Sequence, residues 1–215
     1  MPEMLRVESR WPPMLAVCAM LFVVGLLPNH IRLLPTWAPL VVAIAAVAPM
    51  MAVTVAPTSA LWARIERTVA LLFAMFAAAV TVAELATLIH AMVVRPEISG
   101  LQLLASSVAV WAVNLLLFSL VYWQIDRGGP TARARGVTVM PDWLFPHEGA
   151  KQDVPPDWRP SYVDYFFLGY ATATAFSPTD ALPLTARAKL LMVVESTISL
   201  VTIVMVAARA INILR

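Results

Sequence analysis

Charged residues are spaced so far apart in this chain that the stretches between them can cross a lipid bilayer. No Asp, Glu, Lys or Arg occurs between Arg10 and Arg32, and none occurs between Arg32 and Arg64. A helix needs about 20 consecutive apolar residues to span the hydrocarbon core. Only 13% of the residues are charged, about half the share of a soluble domain. The sequence therefore predicts an integral membrane protein.

Five stretches have the length and composition of transmembrane helices. They lie at about residues 11–31, 38–56, 68–94, 100–124 and 184–214. Arg6 and Arg10 precede the first stretch as they would in a signal peptide, but no small-x-small cleavage site follows it. We therefore expect an uncleaved first span.

A further helix, predicted at residues 161–175, is too short to cross the membrane. Ser161 and Asp164 form a capping-box pattern at its start, and Pro178 breaks the helix after its end. Non-helical backbone at membrane depth persists only where protein or a watery cavity surrounds it. The predicted fold is all-α and polytopic, with five transmembrane helices and one re-entrant pore helix between the fourth and fifth.

The carboxy-terminal part of the chain resembles the pore module of bacterial two-helix potassium channels. Those channels have an aromatic pore helix, a Thr-Val-Gly-Tyr-Gly-Asp filter, a Pro-x-Thr sequence and an inner helix. The residues in register here are Thr172, Thr174, Asp180, Pro183 and Thr185, followed by an inner-helix-like segment that includes Glu195. The resemblance implies a homotetramer, in which residues 1–98 form a three-span accessory bundle and residues 99–215 form a channel-like module.

The whole chain also resembles a family of bacterial membrane proteins of undefined function. Members of that family carry Asp-Arg-Gly-Gly-Pro and Ala-Phe-Ser-Pro-Thr-Asp stretches, which are residues 126–130 and 175–180 here.

The filter-like loop departs from the potassium-channel pattern. It comprises Thr172, Thr174, Ala175, Phe176, Ser177, Pro178, Thr179 and Asp180. Ser177 and Thr179 stand in place of both glycines, and Pro178 stands in place of the Tyr. A potassium filter presents a row of backbone carbonyls whose dihedrals glycine allows, and a Cβ costs about 1–2 kcal/mol in left-handed space. We therefore expect a channel for monovalent or divalent cations without potassium selectivity.

Polar residues within the predicted spans are the other candidate site residues. Glu195, Ser199 and Thr202 are spaced 0, 4 and 7, so they share one helical stripe that can line a pore or form interhelical hydrogen bonds. Glu84 and Asn114 lie in the third and fourth spans, where polar residues commonly join helices. Of these two, Glu84 is the better functional candidate.

Two other functions remain open on the sequence alone. The lost glycines and Pro178 suit a non-conducting scaffold or partner subunit that kept the pore architecture, and a small-solute transporter is a weaker hypothesis. We expect no enzyme, because the chain has no nucleophile elbow, no Gly-rich phosphate loop and only widely separated histidines. No metal or cofactor site is expected, and a net charge of +2 is too small to suggest nucleic acid. The expected partners are the lipid bilayer and other copies of the chain.

The distribution of basic residues predicts the orientation. With five spans, 11 of the 15 Lys and Arg residues fall on the amino-terminal side. The positive-inside rule then places the amino terminus in the cytoplasm of a bacterial inner membrane. This orientation conflicts with that of potassium channels, whose pore loop enters from outside.

Overall fold

The computed structural model describes eight parts of the chain, which are residues 8–27, 32–35, 37–56, 59–94, 100–149, 155, 158–174 and 181–213. Its helices are α1 (Trp11–Leu26), α2 (Ala38–Val55), α3 (Ala60–Val94), α4 (Gly100–Ile125), α5 (Pro130–Ala134), α6 (Pro146–Gly149), α7 (Tyr162–Thr174) and α8 (Ala186–Ile213). A 3₁₀ turn spans Asp126–Gly128, and the strands β1 (Trp143–Leu144) and β2 (Leu182–Pro183) form one antiparallel pair.

The helices confirm the predicted class of a helical, multi-pass membrane protein. Four of them, α2, α3, α4 and α8, are long and apolar enough to cross a membrane. Helix α1 is also apolar but has 16 residues, so it extends about 24 Å at 1.5 Å per residue. The predicted first span continued to residue 31, and residues 28–31 lie outside the described part of the chain.

Helix α4 is the centre of the bundle and contacts α1, α3, α7 and α8. Its most apolar stretch is 56% buried, against 22–33% for the other three candidate spans. Those spans expose large apolar side chains such as Leu40, Met75 and Leu200. An apolar outer surface of this kind suits lipid contact, because lipid tails are as apolar as these side chains.

Helix α7 begins at the carboxyl end of α4 and ends beside the middle of α4. Near its start, the Tyr165 hydroxyl donates to Asp126, which directly follows α4. Near its end, Trp111 Nε1 of α4 lies 3.4 Å from the Ala173 carbonyl. Trp111 is about 21 Å from the carboxyl end of α4 by helical rise. The predicted start is confirmed, since the Ser161 N–H and hydroxyl both donate to Asp164.

The chain then returns to the end at which α7 began. The segment 175–180 lies outside the described residues, and β2 follows it. Strand β2 pairs with β1, and the Leu184 N–H donates to the Asp142 carbonyl at 2.8 Å. Helices α7 and α8 therefore start at the same end of the bundle.

The segment after α4 is folded into the bundle. Two of its aromatic side chains, Trp143 and Phe145, are buried, at 0% and 4% exposed. The segment turns sharply after α4 because Arg127, Gly128 and Gly129 have φ values of 53°, 79° and 93°. A Cβ on Gly129 would lie 2.8 Å from a backbone carbonyl oxygen, so glycine is required there.

Candidate functional site

Two fully buried carboxylates, Asp126 and Asp142, connect the ends of the central helices. One Asp126 oxygen accepts from the Asp142 N–H at 2.7 Å, and the other accepts from the Tyr165 hydroxyl at 2.6 Å. The Asp142 carboxylate accepts from the Thr185 hydroxyl at 2.6 Å and from two guanidinium nitrogens of Arg187 at 2.6 and 2.5 Å. This arrangement ties α4, α7 and the start of α8 together on both sides of the filter-like loop.

Arg133 joins the amino-terminal segment to the same region. Its guanidinium donates to the Trp123 and Asp126 carbonyls at 2.9 and 2.8 Å and forms an ion pair with Glu8 at 3.1 Å. It also lies over the Tyr165 ring, 5.1 Å from the centroid. A guanidinium presents five donors in a fixed fork, so one arginine can hold several chain segments in place.

A second arginine, Arg10, forms an ion pair with Glu66 at the start of α3. The Nε–Oε1 distance is 3.1 Å, and both side chains are at most 2% exposed. Arg10 also donates to the Thr131 hydroxyl at 3.0 Å. Helices α1 and α3 therefore begin at the level where α4 ends.

We call this set of groups the polar base. It comprises Glu8, Arg10, Glu66, Asp126, Arg133, Asp142, Tyr165 and Arg187. Its four carboxylates face three arginines, with Arg127 3.4 Å from Asp126 as a further cation. Near-balance of charge is what a buried ionic cluster requires, since an unpaired buried charge costs several kcal/mol. The sequence alone did not reveal the polar base, although its Asp-Arg-Gly-Gly-Pro turn was visible.

Glu195 is buried inside one protomer, between α8 and α4. Its side chain is 0% exposed, and one carboxyl oxygen accepts from the Tyr122 hydroxyl at 2.5 Å. Asn114 donates to the Glu195 carbonyl at 3.1 Å and to the Ser199 hydroxyl at 2.9 Å. A Cβ on Gly169 of α7 would lie 3.4 Å from the other Glu195 oxygen, so α7 packs directly against this carboxyl group.

Glu195 and Ser199 of the predicted stripe therefore contact α4, and Thr202 is buried on the same face of α8. Ser199 and Thr202 are 1% and 0% exposed, and the Thr202 hydroxyl donates to a carbonyl of its own helix. This is the interhelical alternative raised by the sequence, and lining of a pore by these residues stays a prediction.

Two residues of the predicted filter-like loop are described, and both belong to the last turn of α7. The Thr172 and Thr174 hydroxyls donate to the carbonyls four residues earlier, at 2.9 and 2.7 Å. The remaining residues of that prediction lie outside the described part of the chain: Ala175, Phe176, Ser177, Pro178, Thr179 and Asp180.

Glu84 is the second carboxyl group buried at membrane depth. It is 0% exposed, and no side chain among the described residues pairs with its carboxyl oxygens. It lines a small cavity between α1, α2, α3 and α4, together with Thr81 and apolar side chains. The cavity volume is about 20 Å³, enough for about one water molecule.

Fold and sites together define a helical multi-pass membrane protein with buried polar groups at its helix contacts. Comparison with known proteins found no match: no protein-family model, curated protein or solved structure is significantly similar to the chain. In the described residues, no group of three or more His, Cys, Asp or Glu side chains could hold a metal ion. The resemblance to potassium channels therefore stays a prediction.

Proposed function

We propose that the protein is a cation channel of the inner membrane, in which α4, α7 and α8 form the pore module. The observation that carries the proposal is the path of α7. This 13-residue helix starts at the carboxyl end of α4 and ends beside the middle of α4. The chain then returns to the carboxyl end of α4. At about 20 Å, α7 is too short to cross the roughly 30 Å hydrocarbon core. In a membrane it would be a re-entrant helix.

The end of α7 favours a cation. A helix leaves its last four carbonyls without intrahelical partners, and its dipole places about half a negative charge there. Of these carbonyls, that of Ala173 accepts from Trp111 at 3.4 Å. Such groups are stable at membrane depth where they face water or further protein. A water-filled axis shared by several protomers would supply both the water and the neighbouring protein.

The outer faces of α7 and α8 are the surfaces available to neighbouring protomers. On α7, Val163, Phe167 and Tyr170 are 62%, 56% and 41% exposed at spacings 0, 4 and 7. On α8, Thr197 is exposed on the helix face opposite Glu195, in a stripe otherwise made of apolar side chains. In the proposed homotetramer we place Thr197, rather than Glu195, on the pore axis.

Flux through proteoliposomes tests the proposal directly. The purified full chain should pass K⁺, Na⁺ and Ca²⁺ without strong preference for K⁺, because serine and threonine replace the filter glycines. In a Cys18→Ala background, Thr197→Cys should make the flux sensitive to a positively charged thiosulfonate. Val41→Cys, on the exposed face of α2, is the matched control and should stay insensitive. A verified tetramer that passes none of these cations would exclude conduction.

A specific observation favours the second candidate, a non-conducting scaffold or partner subunit. The carboxylate predicted to line the pore, Glu195, is buried within one protomer and bonded to Tyr122. A scaffold needs the half-length helix only as a packing element. A structure of the oligomer with side chains filling its axis would favour this candidate. The transporter hypothesis has less support, because the cavity beside Glu84 is too small for a solute.

A further inference from the structure

A cleft lies between the start of α3 and the end of α4. Its volume is about 280 Å³, slightly below the roughly 300 Å³ at which sites for whole small molecules begin. Residues from α3, α4, the glycine turn and α5 line it. Both α3 and α4 are candidate membrane spans that have their ends here, so the cleft lies at the boundary between the apolar core and water.

The cleft is positively charged. Arg64, Arg67 and Arg135 line it, and all three are exposed. One acidic residue, Glu66, also lines it, but its carboxylate is paired with Arg10. Arg67 donates one hydrogen bond to the Gly128 carbonyl at 2.6 Å, which orients its guanidinium beside the cleft. Arginine forks match the geometry of phosphate oxygens.

One of the side chains that line the cleft is buried and has an acceptor atom without a partner. Gln124 is 2% exposed and lines the cleft, and its Oε1 has no hydrogen-bond partner among the described residues. A buried acceptor without a partner costs about 1–3 kcal/mol, and a ligand with an N–H or O–H group would remove that cost. The fitting ligand therefore combines phosphate oxygens with a donor.

We propose that this cleft binds a phospholipid headgroup in which a phosphate is attached to an amine or hydroxyl group, such as ethanolamine or glycerol. The phosphate contacts the arginines, and the ammonium or hydroxyl donates to Gln124. The position at the membrane boundary favours a lipid over a soluble phosphate, because a headgroup is held there by its acyl chains. Basic pockets between transmembrane helices are a known type of headgroup site.

Thermal unfolding of the full chain in detergent, followed by tryptophan fluorescence, tests the proposal. The added probes are phosphatidylglycerol, phosphatidylethanolamine, phosphatidylcholine and inorganic phosphate, each titrated separately. Ligands that bind the folded state raise Tm, and at equal concentration the tighter ligand raises it more. The first two lipids should raise Tm most, because phosphatidylcholine has no donor for Gln124.

Variants connect the Tm shift to the cleft. Arg64→Gln should weaken the apparent affinity about fivefold, and Arg64→Gln/Arg67→Gln about 30-fold, since each basic residue contributes a factor of about five near a membrane surface. Lys189→Gln removes an exposed charge at the start of α8, outside the cleft, and should leave the affinity unchanged. Gln124→Leu should abolish the preference for donor-bearing headgroups.

Two results would overturn the assignment. Equal Tm shifts in the wild type and the double arginine variant would show that the lipids stabilise the protein by general solvation and not by binding in the cleft. Protection by inorganic phosphate without protection by any lipid would replace the headgroup with a soluble phosphate. Because Arg64 lies on an exposed surface, its single variant should fold normally, so its lipid affinity can be measured even if the double variant does not fold.

Discussion

Replacing Arg187 with alanine should destabilise the protein more than replacing its buried partner Asp142. The Arg187 side chain is 55% exposed, whereas that of Asp142 is 0% exposed. Arg187→Ala leaves a buried carboxylate with the Thr185 hydroxyl as its remaining side-chain donor in the described structure. Removing one partner of a buried ion pair costs about 3–5 kcal/mol. Because the vacated position admits water, we expect the lower end, about 3 kcal/mol.

Asp142→Ala leaves a different situation, because the half-exposed guanidinium can turn to solvent. The expected loss is then about 1–2 kcal/mol, the net value of the hydrogen bonds that water replaces. The double variant contains no uncompensated buried charge, so it should also lose only about 1–2 kcal/mol. The two single losses therefore exceed the double loss by about 3 kcal/mol, a coupling in the range found for residues in contact.

Reversible unfolding in mixed dodecyl maltoside and SDS micelles, followed by far-UV circular dichroism, gives the free energies. Lys189→Ala is the control: it removes a nearby exposed cation on the same helix and should change stability by less than about 0.5 kcal/mol. Additive losses in the double variant would refute the reasoning. So would a larger loss for Asp142→Ala than for Arg187→Ala.

Three further predictions use the same measurement. Tyr122→Phe should cost about 1–3 kcal/mol, because it removes the hydroxyl that donates to Glu195 at 2.5 Å, and a loss under 0.5 kcal/mol would contradict that role. Gly129→Ala should destabilise more than Gly136→Ala: both have positive φ, costing about 1–2 kcal/mol, but only at Gly129 would the Cβ collide with a carbonyl. Trp143→Ala should cost about 3–5 kcal/mol as a fully buried aromatic, and a near-neutral result would place Trp143 outside the core.

Charge spacing predicted the candidate membrane helices but misplaced the start of α3. The predicted span began at Thr68, after the charged residues Arg64, Glu66 and Arg67. The helix begins at Ala60 and includes all three. Glu66 is neutralised by Arg10, 56 positions earlier, and no local pattern reveals so distant a partner.

The helical stripe containing Glu195 was recognisable from spacing, but its partners were not. Periodicity shows which residues share a face of α8, while the identity of the facing helix depends on how the whole bundle packs. The same holds for Asp126 and Asp142, whose partners on α7 and α8 lie about 40 residues further on. The Pro- and Gly-rich composition of this region did not indicate a buried segment, because Trp143 and Phe145 are held in place by tertiary contacts alone.

The long separations within the polar base constrain how the chain is made. The counter-ion of Glu8 is Arg133, 125 positions later in the chain, and the counter-ion of Asp142 is Arg187, 45 positions later. A ribosome that delivers the spans one by one therefore inserts Glu8 and Asp142 before their counter-ions are synthesised. Glu8 must remain hydrated at the bilayer surface until Arg133 has been made, and Asp142 until α8 has entered. Insertion and final folding are thus separate stages for this protein, and chains that end before α8 should be substrates for membrane proteases.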